Sequence, residues 1–138
     1  MGKKCSKEAS ISLILRLSIA SLFAVAAIDK FMGGMDDVVV RFVDMFKNTW
    51  LPEPLVALHA RLIPWVESVI AIWLLLGVRL KEAWIVTALT LISLAFGMVV
   101  ARQYATASEN YLYVLMACVG LYFSEFDQCN IGKLFKKE

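Results

Sequence analysis

The chain has 138 residues, 60% of them hydrophobic and 19% charged, with a net charge of +2. Soluble domains hold about 45–50% apolar and about 25% charged residues, and a small domain buries only about two-thirds of its chain surface. Composition therefore excludes a soluble domain and a disordered chain, a balance of +2 offers no basic patch for nucleic acid, and a membrane protein remains.

In chain order, Met1–Lys7 reads M-G-K-K-C-S-K. This fits the loose pattern for N-myristoylation, with Cys5 placed for palmitoylation. The simpler reading is a basic cytosolic tail, because a polytopic protein gains little from a lipid anchor. Ile11–Ile28 follows, 18 residues with Arg16 as the one charge. It resembles a signal peptide superficially. Its length, Arg16 and the Asp29-Lys30 ending without an A-x-A site make it a retained first span.

Gly33-Gly34 breaks that helix. Val39, Phe42, Val43, Phe46 and Trp50 then recur every three or four residues, with Asp37, Arg41, Asp44 and Lys47 between them. Such an amphipathic stripe predicts a helix over about 36–50 that lies on the membrane surface, packs across the mouth of a bundle or docks on a partner. Pro52 and Pro54 end it. Leu62–Val78 has 17 residues with Glu67 as its one charge, and it extends back to about residue 55 because Pro54 suits a first helical turn. Pro64 is expected to kink it.

Ala83–Ala101 has 19 residues and no charge, and Tyr111–Phe123 has 13 and none. A span needs about 20 apolar residues to cross about 30 Å. The last run reaches that range only if Ser108 caps it, and Tyr111, Tyr113 and Tyr122 sit near its ends as interfacial aromatics do. The expected fold is an all-α integral membrane four-helix bundle in one domain. Its spans lie at about 11–31, 55–78, 83–102 and 108–124, with an amphipathic interfacial helix between the first two and tails at 1–9 and 125–138.

Lys3, Lys4, Lys7, Arg79, Lys81, Lys133, Lys136 and Lys137 fall on one side of this arrangement. Lys30, Arg41, Lys47, Arg61 and Arg102 fall on the other. The positive-inside rule places both termini in the cytoplasm and the 32–61 connection outside, in an inner membrane of bacterial or archaeal type. Cys5, Cys118 and Cys129 contain no C-x-x-C pair, and His59 is the single histidine. No disulfide framework, dithiol pair, zinc site or bis-histidine haem follows from such a set, so no metal is expected.

The embedded charges carry the functional question. A charge near a span centre costs about 2.5–3.5 kcal/mol, while a Leu or Ile returns about 0.3–0.6, so each should face the bundle interior and have a partner. Arg16 either pairs or snorkels to the near interface. Glu67 is too short to reach water easily, and Lys30 or Arg102 is the better-placed partner for it, in a cluster that Asp29 could join. A polar role for Glu67 can be structural or chemical. His59 reads as interfacial, and Ser68, Thr87, Thr90 and Ser93 as bonded to their own helix or a neighbour.

The chain also carries L-x-L-R-L (Leu13–Leu17), D-K-F (Asp29–Phe31), P-W-V-E-S-V-I-A-I-W-L-L-L-G-V-R (Pro64–Arg79), E-N-Y-L (Glu109–Leu112) and E-F-D (Glu125–Asp127). In that order and spacing, over about residues 10–127, it resembles the DoxX family of small four-helix membrane proteins. Ala24-Val25-Ala26-Ala27-Ile28 stands where members often have a glycine-rich stretch, and the 32–53 insert is heavier than in the shortest members. The resemblance implies termini on one side and association with membrane redox systems. That family includes a small subunit of thiosulfate:quinone oxidoreductase, relatives linked to amine-dehydrogenase maturation, and assembly factors for membrane receptors. By the same resemblance, Arg16, Lys30 and Glu67 match the family's charged positions, and Asn110 the polar opening of the fourth helix.

Three functions compete. The first is a small subunit of a quinone-linked membrane redox complex without a redox centre of its own, in which Glu67 with Lys30 or Arg102 contacts quinone beside Trp65 and Trp73. The second is a non-catalytic accessory or assembly protein that holds a larger membrane complex through the 32–53 stripe and through small residues such as Ala95 and Gly97. The third is a small transporter, against which Arg16 offsets Glu67 and no internal repeat divides the chain. The ligands expected are membrane lipid and a quinone or lipid, with no covalently bound cofactor and no nucleic acid.

Overall fold

Ser6 starts the first helix: its Oγ accepts a hydrogen bond from the Ala9 amide at 3.2 Å, which satisfies one of the amides a helix start leaves bare. Helix α1 runs Lys7–Met32, with Glu8 in its first turn and Lys30 in its last, each sign favourable to the helix dipole. It is about 39 Å long, enough to cross a bilayer. The computed structural model describes residues 6–127. The lipidation reading of Met1–Cys5, and the tail that carries Cys129, Lys133, Lys136 and Lys137, lie outside the described residues.

The expected break falls at Gly33-Gly34. Gly33 donates its amide to the Asp29 carbonyl at 2.9 Å, and Gly34 takes φ +88°, a conformation glycine reaches without strain. Helix α2 is Met35–Phe46, shorter than the expected 36–50. The Thr49 hydroxyl donates to the Phe46 carbonyl at 2.7 Å and the Thr49 amide donates to the same oxygen, so the chain turns there instead of adding helix. Helix α3 is Glu53–Leu76, with Pro54 in its first turn as expected; it continues past Pro64 and closes at Gly77, φ +69°.

Helix α4 is Leu80–Val100 and α5 is Tyr104–Phe123, followed by a 3-10 turn at Ser124–Phe126. The fifth helix starts four residues before the expected Ser108 cap. Arg102 turns the chain in the left-handed region, φ +59°, so a single residue, Gln103, separates that turn from the new helix. Ser108 therefore lies inside α5 and donates its hydroxyl to the Tyr104 carbonyl at 2.9 Å. Ser68, Thr87 and Thr90 likewise donate to carbonyls four residues back on their own helices.

The packing consists of two close pairs. Helix α4 lies along α5, and α1 along α3, while the α1–α5 and α3–α4 seams are slighter and α2 rests on α3. Ile19 and Phe23 of α1, Ile70 and Leu74 of α3, Trp84 and Leu91 of α4 and Ala117 of α5 form the core. The α4–α5 approach is set at Gly120, where an added Cβ would stand 2.5 Å from the fully buried Trp84 ring. Ala95 is also fully buried, and Gly97 faces the Phe46 ring, so these small residues serve contacts within the chain and not a partner.

Outward, α3 exposes Leu55, Leu58, Leu62, Trp65, Val69, Ile72 and Leu76, one stripe at helical spacing. So large an exposed apolar face suits lipid and not water. Helices α1, α3 and α4 are long and apolar enough to cross a membrane, which makes this an all-helical integral membrane protein. The four-span expectation is met by three helices on that criterion. Thr106, Ser108, Glu109 and Asn110 place polar side chains in the first two turns of α5 and lower its hydropathy.

Candidate functional site

Two charged pairs grip α1, one near each end. At the α2 end, Lys30 donates from Nζ to both carboxylate oxygens of Glu67 at 2.8 Å, and to the Ala26 carbonyl at 3.4 Å. The Glu67 side chain is 3% exposed and that of Lys30 22%. Helix α3 carries Glu67 on its inward face, one turn beyond the buried Pro64 and one turn before the buried Ala71. An unpaired carboxylate there would lose its hydration without return, so the two-oxygen contact with Lys30 is what allows the position to be acidic.

The pair borders a cavity of about 230 Å³, to which all five helices contribute: Phe23 from α1, Phe42 from α2, Glu67 from α3, Leu91 from α4, and Asn110 and Tyr113 from α5. The side chains of Asn110 and Tyr113 form no hydrogen bond among the described residues. The sequence-based cluster of Arg16, Lys30, Glu67, Arg102 and Asn110 is thus assembled in part. Lys30, Glu67 and Asn110 meet; Arg16 and Arg102 do not join them. Arg102 is exposed on the α4–α5 turn, carried away by its left-handed backbone. Asp29 is exposed as well, and lines an adjoining open hollow instead of the cavity.

Arg16 lies fourteen residues from Lys30, about 21 Å along the helix axis. Its Nη1 donates to both oxygens of Asp127 at 3.1 and 3.0 Å, and the Ser12 hydroxyl donates to the same carboxylate at 3.0 Å. The side chains are 5% and 1% exposed. Arg16 therefore pairs and does not snorkel. Its partner, beyond the last apolar run, was missed from sequence. The pointer to it is the E-F-D step that directly follows α5 on the same side of the bundle.

The amphipathic stripe turns inward. Phe46 is buried and Val39, Phe42 and Val43 are half-buried, with α2 lying on α3; Trp50 alone of the five is exposed. Of the three readings, packing across the bundle mouth is the observed one, and four of the five expected contact residues face their own chain. His59 lines a separate groove of about 210 Å³ with Phe42, Phe46, Ser93 and Phe96, so it is not in the Lys30–Glu67 cavity. Trp65 and Trp73, expected beside Glu67, are elsewhere too. Trp65 is exposed with its ring edge-on to Phe31 at 5.0 Å, and Trp73 donates its indole N–H to the Val78 carbonyl at 2.7 Å. Among the described residues, no three His, Cys, Asp or Glu side chains converge as metal ligands would.

Comparison with known proteins corrects the expected DoxX membership. Residues 8–110 match the family model of the methylamine utilisation protein MauE, a different membrane family. Four of the five motifs behind the DoxX resemblance hold members of the two buried ion pairs, Arg16, Lys30, Glu67 and Asp127, and the fifth holds Asn110 of the cavity. No curated protein and no solved structure matches the chain.

Proposed function

The chain belongs to the MauE family, and from this premise we propose that it is an accessory membrane subunit serving a redox system of methylamine utilisation, without a redox centre of its own. In this reading α5 crosses the membrane with α1, α3 and α4, because Thr106 and Asn110 of its polar first turns line the Lys30–Glu67 cavity and the rest of it is apolar. The lysine and arginine distribution sets both ends of the chain on the cytoplasmic side and α2 outside.

The carrying observation is the Lys30–Glu67 pair inside a cavity walled by every helix. Each charge cancels the other, and the one histidine lies in another groove, so no general base stands beside a nucleophile there. Such a pair fixes the end of α1 against the middle of α3 under α2. That holds the polar face of α2, with Asp36, Asp37, Arg41, Asp44 and Lys47, in one place for a larger membrane complex to meet. A cation transporter needs an acid whose charge is free for cargo, and Lys30 already neutralises that of Glu67.

Deletion of the gene from its host should abolish growth on methylamine and leave growth on an unrelated carbon and nitrogen source unchanged. Pull-down of the tagged chain in mild detergent should bring a larger redox enzyme with it. Unchanged growth on methylamine together with recovery of the chain alone would defeat the reading.

A further inference from the structure

The Lys30–Glu67 cavity is bounded on one side by Leu22, Ala26 and Tyr113. The same three residues line a second, open hollow of about 570 Å³ that runs along the α1–α5 seam between Ser18, Val25 and Met116. The two spaces therefore meet at one wall. The seam is open because α1 and α5 pack slightly and because α1 presents small side chains there, Ser18, Ser21 and Ala26. The two serine hydroxyls donate to carbonyls of their own helix at 2.8 Å, so they can face lipid without an unmet hydrogen bond. Leu22, Ala26 and Tyr113 thus separate the ion-pair cavity from a hollow on α1's outer surface, where Asp29 and the 58% exposed Val25 lie.

The polar groups of the cavity define what it can hold. An ammonium has three N–H donors, and those of Lys30 are matched by Glu67 Oε1, Glu67 Oε2 and the Ala26 carbonyl. Lys30 therefore has nothing left for an anionic head. The Glu67 oxygens keep lone pairs beyond those Lys30 uses, and the Asn110 amide and Tyr113 hydroxyl are uncommitted among the described residues. The unfilled capacity is acceptor at Glu67 and both donor and acceptor at Asn110 and Tyr113. It suits a neutral head with hydroxyl or carbonyl groups. At about 230 Å³ the cavity is smaller than the roughly 300–1,000 Å³ that encloses a whole drug-sized ligand. It can take a head group, with the apolar remainder lying out through the seam.

We infer that the cavity between Lys30, Glu67, Asn110 and Tyr113 is a binding site for a membrane-dissolved molecule with a neutral hydroxyl- or carbonyl-bearing head on an apolar chain, entering between α1 and α5. A quinone or quinol and a diacylglycerol share that chemistry. The inference goes beyond the accessory reading, which uses the ion pair only to fix the helices.

The test uses the full chain in phosphatidylcholine nanodiscs, with ubiquinone-1, its quinol, a short-chain diacylglycerol and dioleoylphosphatidylglycerol as separate probes. Saturable one-to-one binding of either neutral class is expected, and the arm that binds names the source. Ala26→Phe, which fills the seam without removing a polar group, and Asn110→Leu, which removes a head contact, should each weaken binding about tenfold, the effect of one lost buried hydrogen bond or its steric equivalent. Ala26→Ser should bind as the parent chain does. Binding of phosphatidylglycerol alone, or neutral-probe binding unchanged in both variants while they elute as monodisperse protein, would overturn the inference. The pull-down keeps the two readings apart. A redox enzyme recovered with both variants, without neutral-probe binding to the parent, removes this site and leaves the accessory role. Probe binding with no partner recovered does the reverse.

Discussion

The two ends of α1 use the same chemistry in different surroundings. At one end Arg16 and Asp127 are 5% and 1% exposed, and Ser12 adds a further hydrogen bond to the carboxylate. At the other, Glu67 is as deeply buried but Lys30 is 22% exposed, and the pair forms one wall of a cavity. The first contact joins: it ties Asp127, past the turn that follows α5, to α1. The second joins α1 to α3 and also presents unfilled hydrogen-bonding capacity to a space that shares a wall with an open hollow on the α1–α5 seam. Burial of opposite charges thus identifies a clasp, and the groups around it decide whether the clasp can also be a site.

The largest expected effect comes from breaking the closed clasp. Asp127→Ala leaves a buried guanidinium without its carboxylate, which should lower stability by about 3–5 kcal/mol, read as the shift of SDS-induced unfolding in detergent. The double variant Arg16→Met, Asp127→Leu should recover much of this, since a buried ion pair is often no better than well-packed apolar groups of similar size. If Asp127→Ala leaves the unfolding curve in place, the contact is not a clasp.

The open clasp should respond less. Lys30→Met strands Glu67 beside a cavity that can admit water, so a loss of about 2–3 kcal/mol is expected in the same assay, the scale of an embedded charge on insertion. The charge-swapped pair Lys30→Glu, Glu67→Lys should regain part of it. A loss equal to that of Asp127→Ala would erase the distinction between the two ends.

How far these two regions were legible in the sequence depends on where each partner sits. Glu67 is a short acid within an apolar run, so its burial demanded a cation, and Lys30 was within reach by its position at the end of the same bundle half. Asp127 lies 111 residues from Arg16 and outside every apolar run, so no local pattern joined them. The stripe of Val39, Phe42, Val43 and Phe46 was visible as a helix face, but lipid, a partner and α3 all accept such a face, and only the fold selects α3. Trp65 and Trp73 were placed near Glu67 by sequence distance, and helix geometry rotates them away. Three apolar runs marked their helices well. The polar start of α5 did not, because Thr106 and Asn110 face a cavity, and Ser108 and Glu109 lower the hydropathy further.

Between the two clasps lies a contact that involves no charge, and it separates electrostatic from steric effects. Gly120→Ala places a Cβ at 2.5 Å from the Trp84 ring, which is fully buried and cannot swing aside. Overpacking of this kind costs about 1–3 kcal/mol. The loss should be independent of either ion pair, so combining Gly120→Ala with Lys30→Met should give additive shifts. Marked non-additivity would mean that the α4–α5 spacing and the cavity are mechanically coupled.

The smallest effect is expected at Arg102, the other cation that the sequence offered to Glu67. It is exposed, forms no ion pair among the described residues and holds φ +59°. Arg102→Ala should therefore change stability by no more than about 0.5 kcal/mol. Arg102→Gly should be neutral or slightly stabilising, because glycine adopts that backbone without strain and an L-residue there costs on the order of 1 kcal/mol. Lys30→Met and Arg102→Met thus remove the same charge from the two candidate partners of one acid, with opposite expectations. If the Arg102 variant proves the more damaging in SDS-induced unfolding, the α4–α5 turn supplies the neutralising charge and the assignment of the open clasp to Lys30 fails.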